Sequence, residues 1–194
     1  MSNRYIQLAF DGEKSEKTAI DTGIPQGSPV SPILFLIYIR FLFEETNNIE
    51  IRILSYLDDI AILAKLESLE NNYQILENTA KKLIQWGQNN RIEFDREKTD
   101  LIHFYWDKTD ISELSIQLSE NLIIKPKQEV KWLGIWFDRK LSFNSHVDKT
   151  LSKANRVFYQ INRLANCNRG LSYQAMRQLY LACITSIADY GVPI

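Results

Sequence analysis

The stretch Ser55-Tyr56-Leu57-Asp58-Asp59-Ile60, inside "ILSYLDDIAIL", sets two adjacent carboxylates between apolar runs, with no obvious partner charge on either flank. Two readings compete. In one, Asp59 caps a long helix from Ile60 towards Leu83, and Ile60, Leu63 and Leu66 have the spacing for it. In the other, "RILSY" and "IAIL" are antiparallel strands joined by a turn that carries the aspartates. A two-residue hairpin prefers Asn-Gly or Asp-Gly, and "LDD" has no glycine, so such a turn implies strain. The second reading has a chemical use. Hard divalent cations take carboxylate oxygens, and Mg²⁺ is commonly held by one or two carboxylates plus substrate phosphates. Two such ions about 3.5–4 Å apart hold the attacking and leaving oxygens of a phosphoryl transfer. Neighbouring side chains on a strand point to opposite faces, so a third carboxylate from a separate segment is expected.

Upstream, "RYIQLAF-DG-EKSEKTAI" reads as two extended segments around Asp11-Gly12, a strong hairpin signal. "TGIPQGSPVSP" is a Gly- and Pro-rich loop. Ser31 followed by Pro32 predicts an N-cap and a first helical residue. The helix it opens is apolar nearly all round and is expected to be central. Downstream, Leu69, Tyr73, Leu76, Ala80, Leu83 and Gly87 recur at steps of three and four, the pattern of an amphipathic helix. "RIEFDREKTDLIHFYW" reads as a turn entering a strand, and "ELSIQL", "NLII" and "VKWLGIWFD" read as three strands. Val147, Leu151, Ala154, Phe158, Ile161 and Ala165 then mark a helix. Gly170 breaks it, and Ser172 caps a second helix lined by Met176, Leu179, Cys183 and Ile187. The fold class is therefore α+β, mixed strands and helices followed by a helical pair.

At 194 residues and 45% apolar content the chain is an ordinary single-domain length and composition. Its longest apolar run, "PILFLIYIRFLF" at 32–43, is shorter than the ~20 residues a membrane span needs and contains Arg40, so no membrane partner is expected. Nothing after Met1 reads as a signal peptide. Cys167 and Cys183 make no disulfide framework, so an intracellular, reducing setting is expected, nuclear or cytoplasmic. The net charge of −1 hides an asymmetry. Residues 1–138 carry 15 Lys/Arg against 22 Asp/Glu, and residues 139–188 carry eight against Asp148 alone. Such a split fits either a polyanion partner for the C-terminal part or a solvated helical face.

Taken together, these segments resemble a reverse transcriptase of the non-LTR (LINE-type) retrotransposon class. "TGIPQGSPVSPILFLIYI" resembles the loop and helix that contact template and incoming nucleotide. "SYLDD" resembles the catalytic Tyr-x-Asp-Asp hairpin, with Leu57 where Ala or Val is more usual. "FDREKTDLIHF" resembles the following motif, "VKWLGIWFDRKLSFNSHV" the primer-grip strand leading into the thumb, and "GLSYQAMRQLYLACITSIADYGVPI" the thumb helix. The resemblance covers nearly the whole chain in the family's order. The fold it implies is a partial right-hand polymerase palm, a ferredoxin-like antiparallel sheet with helices. The first strand is missing, and thumb helices follow. Residues 1–140 would be palm and 141–194 a truncated, thumb-like helical segment.

The same resemblance implies roles. Asp58 would be a Mg²⁺ ligand, with Asp59 beside it as a second acidic group. Lys98 would stand near the pyrophosphate as a proton donor. Gln26, Gly27, Ser28 and Pro29 would line the nucleotide and template side. Trp132, Leu133 and Gly134 would support the primer end. Lys149, Lys153, Arg156 and Arg163 would neutralise nucleic-acid phosphates. The partners would be an RNA template, a DNA primer or RNA–DNA duplex, and deoxynucleoside triphosphates, with Mg²⁺ as cofactor.

In this family the third carboxylate lies upstream of the Gln-Gly-Ser-Pro loop. Asp11 does not fit it, because Asp11-Gly12 is a better turn, and Asp21, Asp95 and Asp100 sit in other contexts. The expectation is a polymerase by descent whose catalytic set is incomplete here. A non-catalytic nucleic-acid-binding remnant acting through the basic helices is the alternative, and a relic without selected activity a third. His103, His146, Cys167 and Cys183 show no metal-ligand spacing, and Trp86, Trp106 and Trp136 read as core.

Overall fold

A computed structural model describes residues 4–20, 23–25, 27–45, 50–105, 114–165 and 170–191. The chain divides into two compact units, residues 1–92 and 93–194.

The first unit opens with β1 (Arg4–Ile6), β2 (Ala9–Phe10), β3 (Glu13–Lys14) and β4 (Thr18–Ile20). Strands β2 and β3 pair antiparallel across Asp11-Gly12, and β1 pairs with β4 outside them. Both turn residues have positive φ, +50° at Asp11 and +84° at Gly12, the requirement of a type I′ turn. The hairpin expected there is present. Helix α1 (Ser31–Glu45) follows the loop, but its first turn begins one residue earlier than the sequence predicts. Leu34 N–H donates to the Val30 carbonyl at 3.0 Å, so Ser31 is already inside the helix. Its hydroxyl donates back to the Pro25 carbonyl at 2.7 Å and ties the loop down instead of capping the helix. Pro32 still costs no hydrogen bond, since its missing N–H is among the four that a helix start leaves unpaired.

Apolar composition all round α1 predicts a central helix, and the structure corrects this. Ile39 and Leu42 are fully buried, whereas Ile33, Leu36, Ile37 and Phe41 on the opposite flank are exposed. The neighbours described around α1 cover one flank only. Tyr38 bridges to the next helix: its hydroxyl donates to the Asn90 carbonyl at 2.5 Å, and its ring lies 6.1 Å from that of Trp86.

Strands β5 (Ile51–Tyr56) and β6 (Asp59–Ala64) form an antiparallel hairpin in register from Ile51↔Ala64 to Tyr56↔Asp59. The helix-cap reading of Asp59 is thereby excluded. Helix α2 (Leu69–Asn89) is capped by Ser68, whose hydroxyl accepts from Asn71 N–H at 3.4 Å. Tyr73, Leu83, Trp86 and Gly87 are buried along it, at the helical spacing read from sequence.

The second unit contains β7 (Leu101–Ile102), β8 (Ile116–Ser119), β9 (Leu122–Ile124), β10 (Pro126–Lys127), β11 (Glu129–Trp132) and β12 (Ile135–Asp138). Strands β8 and β9 form a hairpin, and β7 pairs parallel with β10. "VKWLGIWFD", read as one strand, is two: β11 and β12 pair antiparallel around Leu133-Gly134, whose φ values are +49° and +84°. Leucine is a poor turn residue, which is why the sequence pattern runs straight through it.

Helix α3 (Asn144–Asn162) is followed by α4 (Tyr173–Leu179), which continues through a π-helical stretch (Tyr180–Thr185) into α5 (Ser186–Ala188), and α3 packs against the π-helical stretch and α5. Ala154, Ile161 and Ile184 form the buried centre, with Val157, Met176, Leu179, Cys183 and Ile187 against it. The Ser172 cap is as expected, its hydroxyl accepting from Ala175 N–H at 3.3 Å. The buried face of α3 is rotated from the sequence reading: His146 is buried, while Val147, Leu151 and Phe158 stand exposed, and Ala165 lies beyond the helix. No helix among the described residues is long and apolar enough to cross a membrane. The architecture is mixed helix and strand, with small, mainly antiparallel sheets.

Candidate active site

The hairpin tip is built by Tyr56 and Asp59, the last cross-strand pair, with Leu57 and Asp58 as the two turn residues. Leu57 carries φ +54°. A left-handed leucine costs roughly 1–2 kcal/mol, so the turn is held against a local preference. Ser55 helps to hold it, its hydroxyl donating to the Leu57 carbonyl at 3.3 Å. Asp58 sits in the turn, outside strand alternation, and Asp59 opens β6. This resolves the geometric objection to adjacent carboxylates, because only one of the two is bound to the pleat. Both are exposed, and neither carboxylate has a hydrogen-bond or ion-pair partner among the described residues. The donor set, hard carboxylate oxygens open to solvent, fits Mg²⁺ in kind. Among the described residues no group of three or more His, Cys, Asp or Glu side chains is placed to hold a metal ion.

The loop before α1 is open. Gly27 has φ +86°, which favours glycine, and a Cβ there would meet nothing within 4 Å. Ser28 N–H donates to the Pro25 carbonyl at 3.4 Å and its own carbonyl accepts from Ser31 N–H at 3.1 Å, while Pro29 is exposed. Gln26 lies outside the described residues.

The remaining candidates belong to the second unit. Lys98 Nζ pairs with Asp95 Oδ2 at 2.6 Å on an exposed turn. The hydrogen bond to Asp95 raises the Lys98 pKa and lowers that of Asp95, so the ammonium stays protonated over a wider range. At the β11–β12 tip, Trp132 is half-buried, and its indole N–H is enclosed without a partner among the described residues. Leu133 and Gly134 form the turn itself.

The four candidate cations, three on α3 and Arg163 at its C-terminal cap, are not equivalent. Lys149 is committed: its ammonium pairs with Glu129 and stands 3.3 Å from the centre of the Trp136 ring. Ser145 also donates to Glu129, and the bonds from Lys149 and Ser145 hold that carboxyl below its usual pKa. Trp136, read as core, is half-buried beneath this cation. Lys153, Arg156 and Arg163 are exposed and have no ion pair among the described residues.

Sequence reasoning passed over Asp138, which organises the link from β12 to α3. Its carboxylate accepts from Lys140 N–H at 3.0 Å, Ser142 N–H and hydroxyl at 3.1 Å, and Phe143 N–H at 2.7 Å. Burial alone would raise its pKa, but these donors together lower it. Its signal was an aspartate followed by a short polar loop and a helix start. Trp86 is buried as expected, His103 follows β7 directly, and Trp106 and Cys167 lie outside the described residues.

Comparison with known proteins decides the lineage. The sequence profile described as "Reverse transcriptase (RNA-dependent DNA polymerase)" matches residues 1–137, well over half of the chain. The chain belongs to the reverse transcriptase family. It is 24% identical, over its whole length, to the RNA-directed DNA polymerase from mobile element jockey of Drosophila melanogaster, covering 21% of that protein. It is 25% identical to the probable RNA-directed DNA polymerase from transposon BS of the same fly, again over its whole length and covering 22% of that protein. The probable RNA-directed DNA polymerase from transposon X-element is 20% identical. The chain thus spans about a fifth of the length of these relatives. No solved structure matches. The resemblance to a retrotransposon reverse transcriptase, read from the motifs, is borne out.

Proposed function

We propose that this chain is the palm and thumb portion of a non-LTR retrotransposon RNA-directed DNA polymerase, with the β5–β6 tip as its catalytic hairpin. The observation that supports it most is the strained turn in a reverse transcriptase family member that presents two unpartnered carboxylates at its end. Asp58 and Asp59 would hold Mg²⁺, which when bound neutralises developing charge on the phosphates of a deoxynucleoside triphosphate. Two carboxylates are few for a two-ion site, and a third from a further segment completes it in this reading. Gly27, Ser28 and Pro29, with Gln26, offer an open loop for template and nucleotide. Lys98, kept protonated by Asp95, holds a proton at Nζ that can pass to the leaving pyrophosphate. Trp132, Leu133 and Gly134 support the primer end. Lys153, Arg156 and Arg163 neutralise duplex phosphates without reading sequence. In this reading residues 1–140 act as palm and 141–194 as thumb.

A second reading, nucleic-acid binding without catalysis, draws on those same three unpaired cations. One experiment tests both: primer–template binding and template-primed deoxynucleotide incorporation by the purified chain, with and without Asp58→Asn. Salt-sensitive binding without incorporation is expected. Incorporation lost in Asp58→Asn would show that two carboxylates suffice, and absence of binding would overturn both readings.

A further inference from the structure

We infer that Tyr190 and Gly191, together with His146, form a clasp that positions the Leu133–Gly134 turn, and that they are positioning residues for primer–template binding. The inference rests on the primer-end role proposed above for that turn.

Three stretches of chain far apart in sequence meet there. The Tyr190 hydroxyl donates to the Leu133 carbonyl at 2.6 Å, across 57 positions of sequence. The same ring lies close against Gly134: a Cβ built there would come within 2.9 Å of ring carbon Cε1 and 3.0 Å of the hydroxyl oxygen. Only a hydrogen fits between turn and ring. Behind this, buried His146 near the start of α3 places Nε2 3.0 Å from the Tyr190 carbonyl oxygen. A carbonyl only accepts, so Nε2 carries the proton and the imidazole holds the Tyr190 backbone. Gly191 closes the arrangement. With φ +85°, a Cβ on it would come 2.8 Å from His146 Nε2 and 3.6 Å from Ile135 Cγ1 on β12.

Each contact acts on the orientation of one turn. Leu133 has φ +49°, a conformation its side chain disfavours, and its carbonyl is the atom that Tyr190 grips. Gly134 provides the matching positive φ and the absent side chain that lets the ring approach. Without the clasp, nothing else among the described hydrogen bonds reaches the Leu133 carbonyl from outside the hairpin. The primer-end turn is thereby fixed to the end of the helical segment, so that turn and helices move as one piece within their unit.

The test uses the full chain and two variants. Tyr190→Phe removes one hydrogen bond and keeps the ring, and Gly134→Ala expels the ring. Amide hydrogen exchange over residues 132–136 reads the clasp, thermal unfolding reads global stability, and affinity for an RNA–DNA primer–template reads the positioning role. Tyr190→Phe is expected to speed exchange at the turn and to weaken affinity, each about three- to tenfold, the worth of one hydrogen bond. The unfolding midpoint should fall by no more than the few degrees that one hydrogen bond accounts for. Gly134→Ala should exceed both effects, and the double variant should add little to it, because the ring has already gone. Unchanged exchange in Tyr190→Phe overturns the clasp. Faster exchange with unchanged affinity overturns the positioning role and leaves a purely structural one. A wild-type chain that does not bind the duplex overturns the proposed function and the positioning role with it, while exchange still decides the clasp.

Discussion

Asp138→Ala, at the end of β12, should destabilise the second unit, and the geometry says by how much. The carboxylate takes four hydrogen bonds, three of them from backbone N–H groups in the link to α3. The Lys140 and Ser142 amides are exposed and rehydrate when the carboxylate is removed. Phe143 N–H, the shortest contact at 2.7 Å, lies in part-buried surroundings and does not. Leaving it unpaired costs about 1–3 kcal/mol, and loss of a cap-like contact adds about 1 kcal/mol. The expected total is about 2–4 kcal/mol, a sizeable part of the 5–15 kcal/mol typical of a domain. Asp138→Asn, which keeps one acceptor oxygen, should lose about half as much. The sign of the pH dependence follows. The folded-state pKa of Asp138 is lowered, so its contribution is fully present above the unfolded value of about 3.9 and is lost as pH falls through the folded value. Urea unfolding followed by circular dichroism, from neutral pH down into the acid range, measures both. The gap between wild type and Asp138→Ala should close towards acid. A gap under about 0.5 kcal/mol at neutral pH, or one independent of pH, refutes the reasoning.

Two further outcomes separate residues that sequence treats alike. Neutralising Lys153, Arg156 and Arg163 together should flatten the log–log salt dependence of duplex binding by about 2–3, whereas Lys149→Met should leave that slope nearly unchanged and lower stability, since Lys149 is paired with Glu129. An equal slope change from Lys149→Met refutes the distinction. On α1, Leu42→Ala should cost about 2–5 kcal/mol and Ile37→Ala under about 1, because Leu42 is fully buried and Ile37 is 59% exposed. Comparable losses in urea unfolding would mean that both flanks of the helix are packed.

What the sequence discloses depends on how local the cause is. The turn at Asp11-Gly12 is legible because both residue types favour the positive φ they adopt. The hairpin at Leu57-Asp58 was one of two open readings, since leucine gives no turn signal and the helical spacing of Ile60, Leu63 and Leu66 competes. The turn at Leu133-Gly134 was missed outright for the same reason. Both tips place leucine at the first, left-handed position, and in both the strands impose the turn. Helix α1 shows the converse limit: composition tells that a flank is apolar, not whether anything covers it. The candidate residues were legible through family motifs, whereas the commitment of Lys149 to Glu129 and the grip of Tyr190 on Leu133 join residues 20 and 57 positions apart and leave no periodic trace.

The central claim is that Asp58 and Asp59 form a metal-binding tip. Paramagnetic broadening by Mn²⁺, standing in for Mg²⁺, tests it on the purified chain through amide resonances. Broadening should concentrate on residues 56–60 and vanish in the Asp58→Asn, Asp59→Asn double variant. The unfolding midpoint should stay unchanged, because both carboxylates are exposed and unpartnered. Broadening that spares the tip, or that persists there in the double variant, would contradict the account.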